Sequence, residues 1–384
     1  MKLKFVTVTL MLIAAVASAH AQTLTTLYTF NGLSDGGSPL VGLVPDSARN
    51  FYGTTFQGGT ANDGTVFKLG KNGTETVLYS FKGGADGFHP YAGALVRDKA
   101  GNLYGTTEQG GSSNEGTVFK VDMSGTESIL YNFTGTPDGA IPYGGLVRDL
   151  AGNLYGTTYF GGTSNNGSAF KIDTNNNESI LHSFAGSPSD GAYSYATLLR
   201  DALGNLYGTN YQGGATGNGT VFKISSTGKE SVLYNFKGTP DGQLPYAGLV
   251  RRKGFLYGTT VQGGKRGLGT VFKVDTKGNE TILYNFTGGA DGGLPLGGVI
   301  FDTAGNLYGT TYIGGAFGVG TVYRLDPTGK EMVLYNFTGG GDGKNPYFVV
   351  LVRDQAGNLY GTTSAGAGTG CGGTGCGTVF KLTP

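Results

Sequence analysis

Few residues of this chain could do acid–base chemistry, and they are scattered. After Ala21 only two histidines occur, His89 and His182. His89 stands beside Pro90 and is the histidine placed to act as a ligand or a proton carrier. His182 takes a position that other repeats give to Tyr, and it reads as a packed substitute. Asp63, Glu108 and Glu115 depart from the local pattern. Two carboxylates ~5–10 Å apart could cleave a glycosidic bond, one protonating the leaving oxygen and one acting as base or nucleophile. Nothing in the sequence puts these three acids within reach of one another. No Gly-x-Ser-x-Gly elbow, His-Glu-x-x-His pair or phosphate-cradling loop occurs. No catalytic residue, metal ligand or cofactor is assigned.

Other residue types recur in a way that suits binding. Tyr91, Tyr143, Tyr195, Tyr246 and Tyr347 follow Pro, or Ser194 in one copy, and Leu40 and Leu296 fill the two remaining copies. Five tyrosines near a common axis could stack sugar rings, or could simply pack between neighbouring units. A second series varies freely: Phe56, Glu108, Tyr159, Tyr211, Val261, Tyr312 and Ser364. With His89, Tyr159, Tyr211 and Tyr312 complete the candidate ligand-binding set. Asp-Gly recurs at Asp35, Asp86, Asp138, Asp190, Asp241, Asp291 and Asp342. These carboxylates could bind a cation or sugar hydroxyls, or could cap their own turns. The ligand spacing of a calcium loop is absent. Arg97-Asp98, Arg148-Asp149, Arg200-Asp201 and Arg353-Asp354 read as turn caps and surface ion pairs. Cys371 and Cys376 are the only cysteines and read as a disulfide closing a short loop.

The elements that must position these residues are set by a repeat. Tyr-Gly-Thr occurs at Tyr52, Tyr104, Tyr155, Tyr207, Tyr257, Tyr308 and Tyr360, a period of about 51 residues that signals a propeller or a repeat array. One unit reads as four short strands: 95–98, 103–107, 117–121 and 128–133. Ala-Gly-Asn turns, Gly-Gly loops and a Gly-rich linker separate them. Ile129, Tyr131 and Phe133 are expected on one face of the fourth strand. Helical periodicity is absent. The reading is an all-β, seven-bladed β-propeller with four antiparallel strands per blade. The chain enters on a fourth strand, 25–30, and leaves on a third, 377–382. The N-terminal strand is therefore expected to complete the last blade, hiding edges that would otherwise stay open. Linkers and second-to-third-strand loops share one face, the upper one, which is the functional side expected of long irregular loops.

Composition narrows the partners. Net charge is +1, from 27 Lys and Arg against 26 Asp and Glu, which argues against nucleic acid as a partner. Seventy-four glycines fall at fixed phase and read as turns. Residues 1–21 read as a secretory signal: basic Lys2 and Lys4, an apolar run from Phe5 to Val16, and the small-x-small site Ala19-His20-Ala21. Residues 22–384 would then form the propeller, with no membrane span and no C-terminal anchor.

The run Leu-Val-Arg-Asp-x-Ala-Gly-Asn-Leu-Tyr-Gly-Thr-Thr, followed by Gly-Gly, Gly-Thr-Val-Phe-Lys and Leu-Tyr-Asn-Phe, resembles the GloVer (Gloeo/Verruco) tandem repeats of exported bacterial proteins. The likeness covers residues 24–383. More distantly, Asp-x-x-Gly-Asn-Leu-Tyr is similar to NHL and two-component-regulator propeller repeats. The resemblance implies fold and export but no catalytic residue. The expectation is a secreted, monomeric, non-catalytic binding module for an extracellular glycan or protein. A carbohydrate-active hydrolase or lyase and a structural envelope protein are the alternatives.

Overall fold

The computed structural model describes residues 22–91 and 93–383. The signal reading falls on residues 1–21, outside the described residues. Seven four-stranded antiparallel sheets follow one another along the chain, each a blade. Blade 2 is typical: Val96–Arg97, Leu103–Thr107, Thr117–Val121 and Glu127–Asn132. Among the described residues, a 3-10 turn at Gly84–Asp86 apart, the regular elements are strands. The innermost strand keeps ladder geometry over only two residues in most blades. Its preceding carbonyls bond instead to the neighbouring blade, as described below.

The last blade closes as expected. Thr23–Thr29 pairs antiparallel with Thr378–Thr383, next to Leu359–Thr363. The core closes with it. The Phe that follows each fourth strand meets the aromatic residue of the next blade's third strand edge to face, with centroids 5.0 Å apart for Phe133 and Phe170. The same contact links Phe337 to Phe380 at 5.3 Å and Phe30 to Phe67 at 5.1 Å, so the chain of contacts runs through blade 7 back to blade 1. Burying such aromatic pairs at every blade boundary is what makes the ring one body.

Each letter of the Tyr-Gly-Thr-Thr signature has a physical reason. The Tyr104 hydroxyl donates to Asp98 at 3.0 Å, and Arg148 of the next blade lies 5.8 Å from its ring centroid. Gly105 pairs with Phe119, and a Cβ there would lie 2.6 Å from Phe119 Cζ. Thr106 donates to the Gly144 carbonyl of blade 3 at 3.3 Å. Thr157, Thr209, Thr259 and Thr362 make the same bond to their next blades. The second Thr, Thr107, shares a buried 2.8 Å hydrogen bond with Thr117.

Two expectations need correction. The Asp residues after Arg do cap turns, as Asp98 does for Asn102 N–H at 2.9 Å. The arginines are not general surface ion pairs. Arg97, Arg148, Arg200 and Arg353 lie over the Tyr ring of the preceding blade, where a planar cation suits the π face. Among the described residues, Arg251–Asp201, at 3.2 Å, is the ion pair formed by an arginine. Nor do Ile129, Tyr131 and Phe133 share a face. A bulge opposite Val118 and Phe119 inserts Leu130. Ile129 then packs toward blade 1, while Tyr131 and Phe133 pack toward blade 3.

Candidate functional site

The upper face is built on the Asp-Gly linkers. Asp138 Oδ2 accepts from the Thr134 backbone N–H at 2.9 Å and from the Tyr131 hydroxyl at 3.1 Å. Five other copies repeat this, with Asp86 taking Lys82 N–H at 2.7 Å and Tyr79 at 2.5 Å, while Asp190 meets His182 in place of Tyr. The carboxylates cap their linkers and anchor the fourth-strand Tyr. They do not form a free acidic ring.

Beyond the Asp-Gly step, each linker pairs with the second-to-third-strand loop of its own blade, as Gly139–Ala140 does with Phe160–Gly161. Next comes a residue with positive φ. It is Ser38, His89, Ile141, Tyr193, Leu244, Leu294 or Asn345, with φ between 52° and 61° in all seven copies. Non-glycine residues seldom adopt this conformation, and for β-branched Ile141 it is costly. Hydrogen bonds on both sides hold it. His89 N–H donates to Asp63 O in the preceding blade at 2.9 Å, and His89 O accepts from Glu108 N–H at 3.1 Å. The same two bonds recur in the other six copies, so this residue clips each blade to the one before it.

The clip displays side chains that the repeat does not fix, and it sets them beside the other variable series. Phe56 stacks on His89 with centroids 4.4 Å apart, and Tyr159 lies 5.0 Å from Tyr193. The aromatic members of the second series rest on the inner tyrosines. Tyr159 meets Tyr143 and Tyr195 at 5.1 and 4.9 Å, Tyr211 meets Tyr246 at 4.7 Å, and Tyr312 meets Tyr347 at 5.5 Å. All nine candidate ligand-binding residues therefore gather around one axis. The six other clip residues were not singled out by sequence. Their only signal was hypervariability at a fixed phase two residues before the inner Tyr or Leu.

The inner tyrosines pack mainly on one another. Tyr143 and Tyr195 are stacked at 4.9 Å and 7°, Tyr91 and Tyr347 hydroxyls lie 3.2 Å apart, and Phe348 contacts four of the five rings. They plug the channel. Burial pushes the Tyr91, Tyr143, Tyr195 and Tyr246 phenols well above their ordinary range, so they stay neutral hydrogen-bonding groups. On the other side of the plug an axial cavity of about 260 Å³ is walled by Ala94, Thr197, Tyr246, Gly248, Phe348 and Val350, among others.

On the upper face, Glu108 and His89 are the members of the two variable series that can ionise besides the phenols. Glu108 is partly buried beside Tyr143 and accepts from Gln109 at 3.2 Å, and burial raises its carboxyl above the usual range. Burial lowers the pKa of His89 despite the nearby Asp63. The three off-pattern acids are not gathered. Asp63 faces Gly83 and Glu115 faces Gly135, each at a neighbouring linker, while Glu108 faces the axis. Cys371 and Cys376 form a disulfide in the loop of blade 7, against Gly32 and Gly37 of the linker from the N-terminal strand. His182 does substitute for Tyr, but as a hydrogen-bonding partner: its Nε2 lies 2.8 Å from Asp190 Oδ2.

The chain is similar to several solved propellers. A streptogramin B lyase shares 14% identity with a TM-score of 0.59, over 95% of this chain and 99% of that one. The extracellular domain of a protein assigned as a one-component system of B. thetaiotaomicron shares 10%, with a TM-score of 0.61, over 94% of this chain. The extracellular domain of a protein assigned as a hybrid two-component system of the same organism shares 12%, with a TM-score of 0.56. This chain spans 40% and 41% of those two chains. At such identities the likeness is one of fold. No curated protein matches. The model of the Gloeobacter/Verrucomicrobia repeat matches residues 15–214 and 194–384, so the seven clipped blades and their Tyr-Gly-Thr-Thr signatures belong to that repeat family.

Proposed function

We propose that this protein is a secreted, non-catalytic binding module that takes an extracellular glycan on its upper aromatic face. The observation that supports this most is the double ring of side chains around the plugged axis. The repeat spends its constant residues on holding the backbone and leaves these positions free. The result is rich in half-exposed aromatics with polar edges: Tyr159, Tyr193, Tyr211 and Tyr312. Tyr faces stack on the C–H faces of sugar rings, and their hydroxyls, with Glu108 and Asn345, suit sugar hydroxyls. The signal-like residues 1–21 and the disulfide fit an oxidising compartment. The two extracellular signalling domains of similar fold are compatible with such a role.

The test is a polysaccharide and glycan screen, followed by calorimetry and product analysis of each hit. Tyr159→Ala and Tyr211→Ala should each weaken binding about 10-fold, the loss of ~1.4 kcal/mol of stacking. Leu150→Ala, at a fully exposed turn away from the loops of the upper face, should leave binding unchanged. Binding that ignores both Tyr substitutions would refute the site. Turnover of a hit would favour the lyase or hydrolase reading, for which the partly buried Glu108 beside Tyr143 is the acid to examine.

A further inference from the structure

The boundary between blades 3 and 4 differs chemically from every other. At six blade boundaries the linker Asp binds a fourth-strand Tyr; here it binds His182. Glu230 arrives from the fourth strand of blade 4, and His182, Asp190 and Glu230 each place one potential ligand atom within 4.8 Å of the others. We infer that these three residues form a divalent transition-metal site, for Zn²⁺ or a similar ion, that staples blade 3 to blade 4.

The donor set suits the ion. One imidazole nitrogen and two carboxylate oxygens make a three-ligand site that leaves a fourth position for water. Tetrahedral Zn²⁺ with bonds near 2.0–2.1 Å wants ligand atoms ~3.3 Å apart. The His182–Asp190 separation is 2.8 Å and the longest separation is under 4.8 Å. Rotation of the partly exposed Glu230 side chain closes that difference. A second observation points the same way: Glu230 Oε1 is buried and makes no hydrogen bond to the protein. The equivalent glutamates share that property, but only here is a nitrogen ligand beside them. Access is open, since the His182 side chain keeps 24% of its exposure. A Tyr–Asp–Glu set lacks a good ligand at neutral pH, because the phenol stays protonated. The single change to His supplies one.

The repeat provides its own control. His182→Tyr writes into blade 3 the residue that six other boundaries accept, so the fold should survive. Tag-free, chelator-stripped protein is titrated with ZnCl₂ by calorimetry and with CoCl₂ by visible absorption. The expected result is one equivalent bound, a Co²⁺ d–d spectrum, and a Zn²⁺-dependent rise in Tm. His182→Tyr and Glu230→Gln should each weaken Zn²⁺ binding at least 10-fold and abolish the Tm rise. No binding by the parent protein, or unchanged binding in either folded variant, would overturn the site. If His182→Tyr fails to fold, the near-isosteric Glu230→Gln decides alone.

Discussion

Gly105 shows how tightly one atom is constrained in this fold. Its φ is unexceptional; what forbids a side chain is Phe119, whose Cζ would sit 2.6 Å from a new Cβ. The ring cannot yield easily, because Phe81 packs against it edge to face at 5.1 Å. Gly105→Ala should therefore destabilise by ~1–3 kcal/mol through overpacking, seen as a lower midpoint in chemical denaturation. Gly84, in a linker with open space around it, tests the contrast. Gly84→Ala, although at positive φ, should leave the Phe81–Phe119 contact intact and cost less. This distinction was not legible in the sequence. Both glycines recur or vary like any turn residue, and only a three-dimensional neighbour separates a steric glycine from a conformational one. The Arg-over-Tyr contacts were hidden for the same reason. Arg148 and Tyr104 belong to different repeats, so their pairing is a property of the ring and not of the unit.

At the scale of the strand and the blade, much was legible because the signals are local. Alternating β-branched and aromatic residues between Gly turns mark Thr117–Val121, and the chain's mismatched ends announce the closing strand. The bulge in the fourth strand was missed, because one extra residue leaves the composition unchanged and reverses which face follows. The clip at His89 and its six equivalents was missed because positive φ is read from Gly and Asn, and here hydrogen bonds from two blades impose it on Ile, Leu and Tyr. The closing strand carries its own prediction. Thr23–Thr29 covers the full edge of Thr378–Thr383. A chain beginning at Gly32 would leave six residues of unpaired N–H and C=O groups on a β-branched strand, an invitation to pair with another copy. That variant should elute as larger assemblies than the parent in size-exclusion chromatography with light scattering. Adding a peptide of residues 22–31 should restore the smaller species.

At the scale of the whole molecule, the ring stores a pH dependence that no single blade would reveal. Glu75, Glu127, Glu178, Glu230, Glu280 and Glu331 each begin a fourth strand and face the linker Asp of the preceding boundary. Burial first, and the charge of that Asp second, push each carboxyl up to about 7. Between the unfolded value near 4.5 and that folded value, the native ring binds more protons than the unfolded chain. Stability must then fall as pH rises through this window. The turn aspartates Asp46, Asp98, Asp149, Asp201, Asp302 and Asp354 are held low mainly by hydrogen bonds that outweigh burial. Their contribution is lost only below the ordinary Asp range, so it is constant across the window. His89, lowered by burial, acts in the opposite sense but is one group against six. Each Glu is partly exposed, and solvent screening reduces its share to the order of 1 kcal/mol. Measured in chelator, Tm should be several degrees lower at pH 8 than at pH 5. Glu127→Gln combined with Glu280→Gln should raise Tm at pH 8 and flatten the slope. A Tm that climbs from pH 5 to pH 8 would show that the six carboxyls ionise freely in the folded ring.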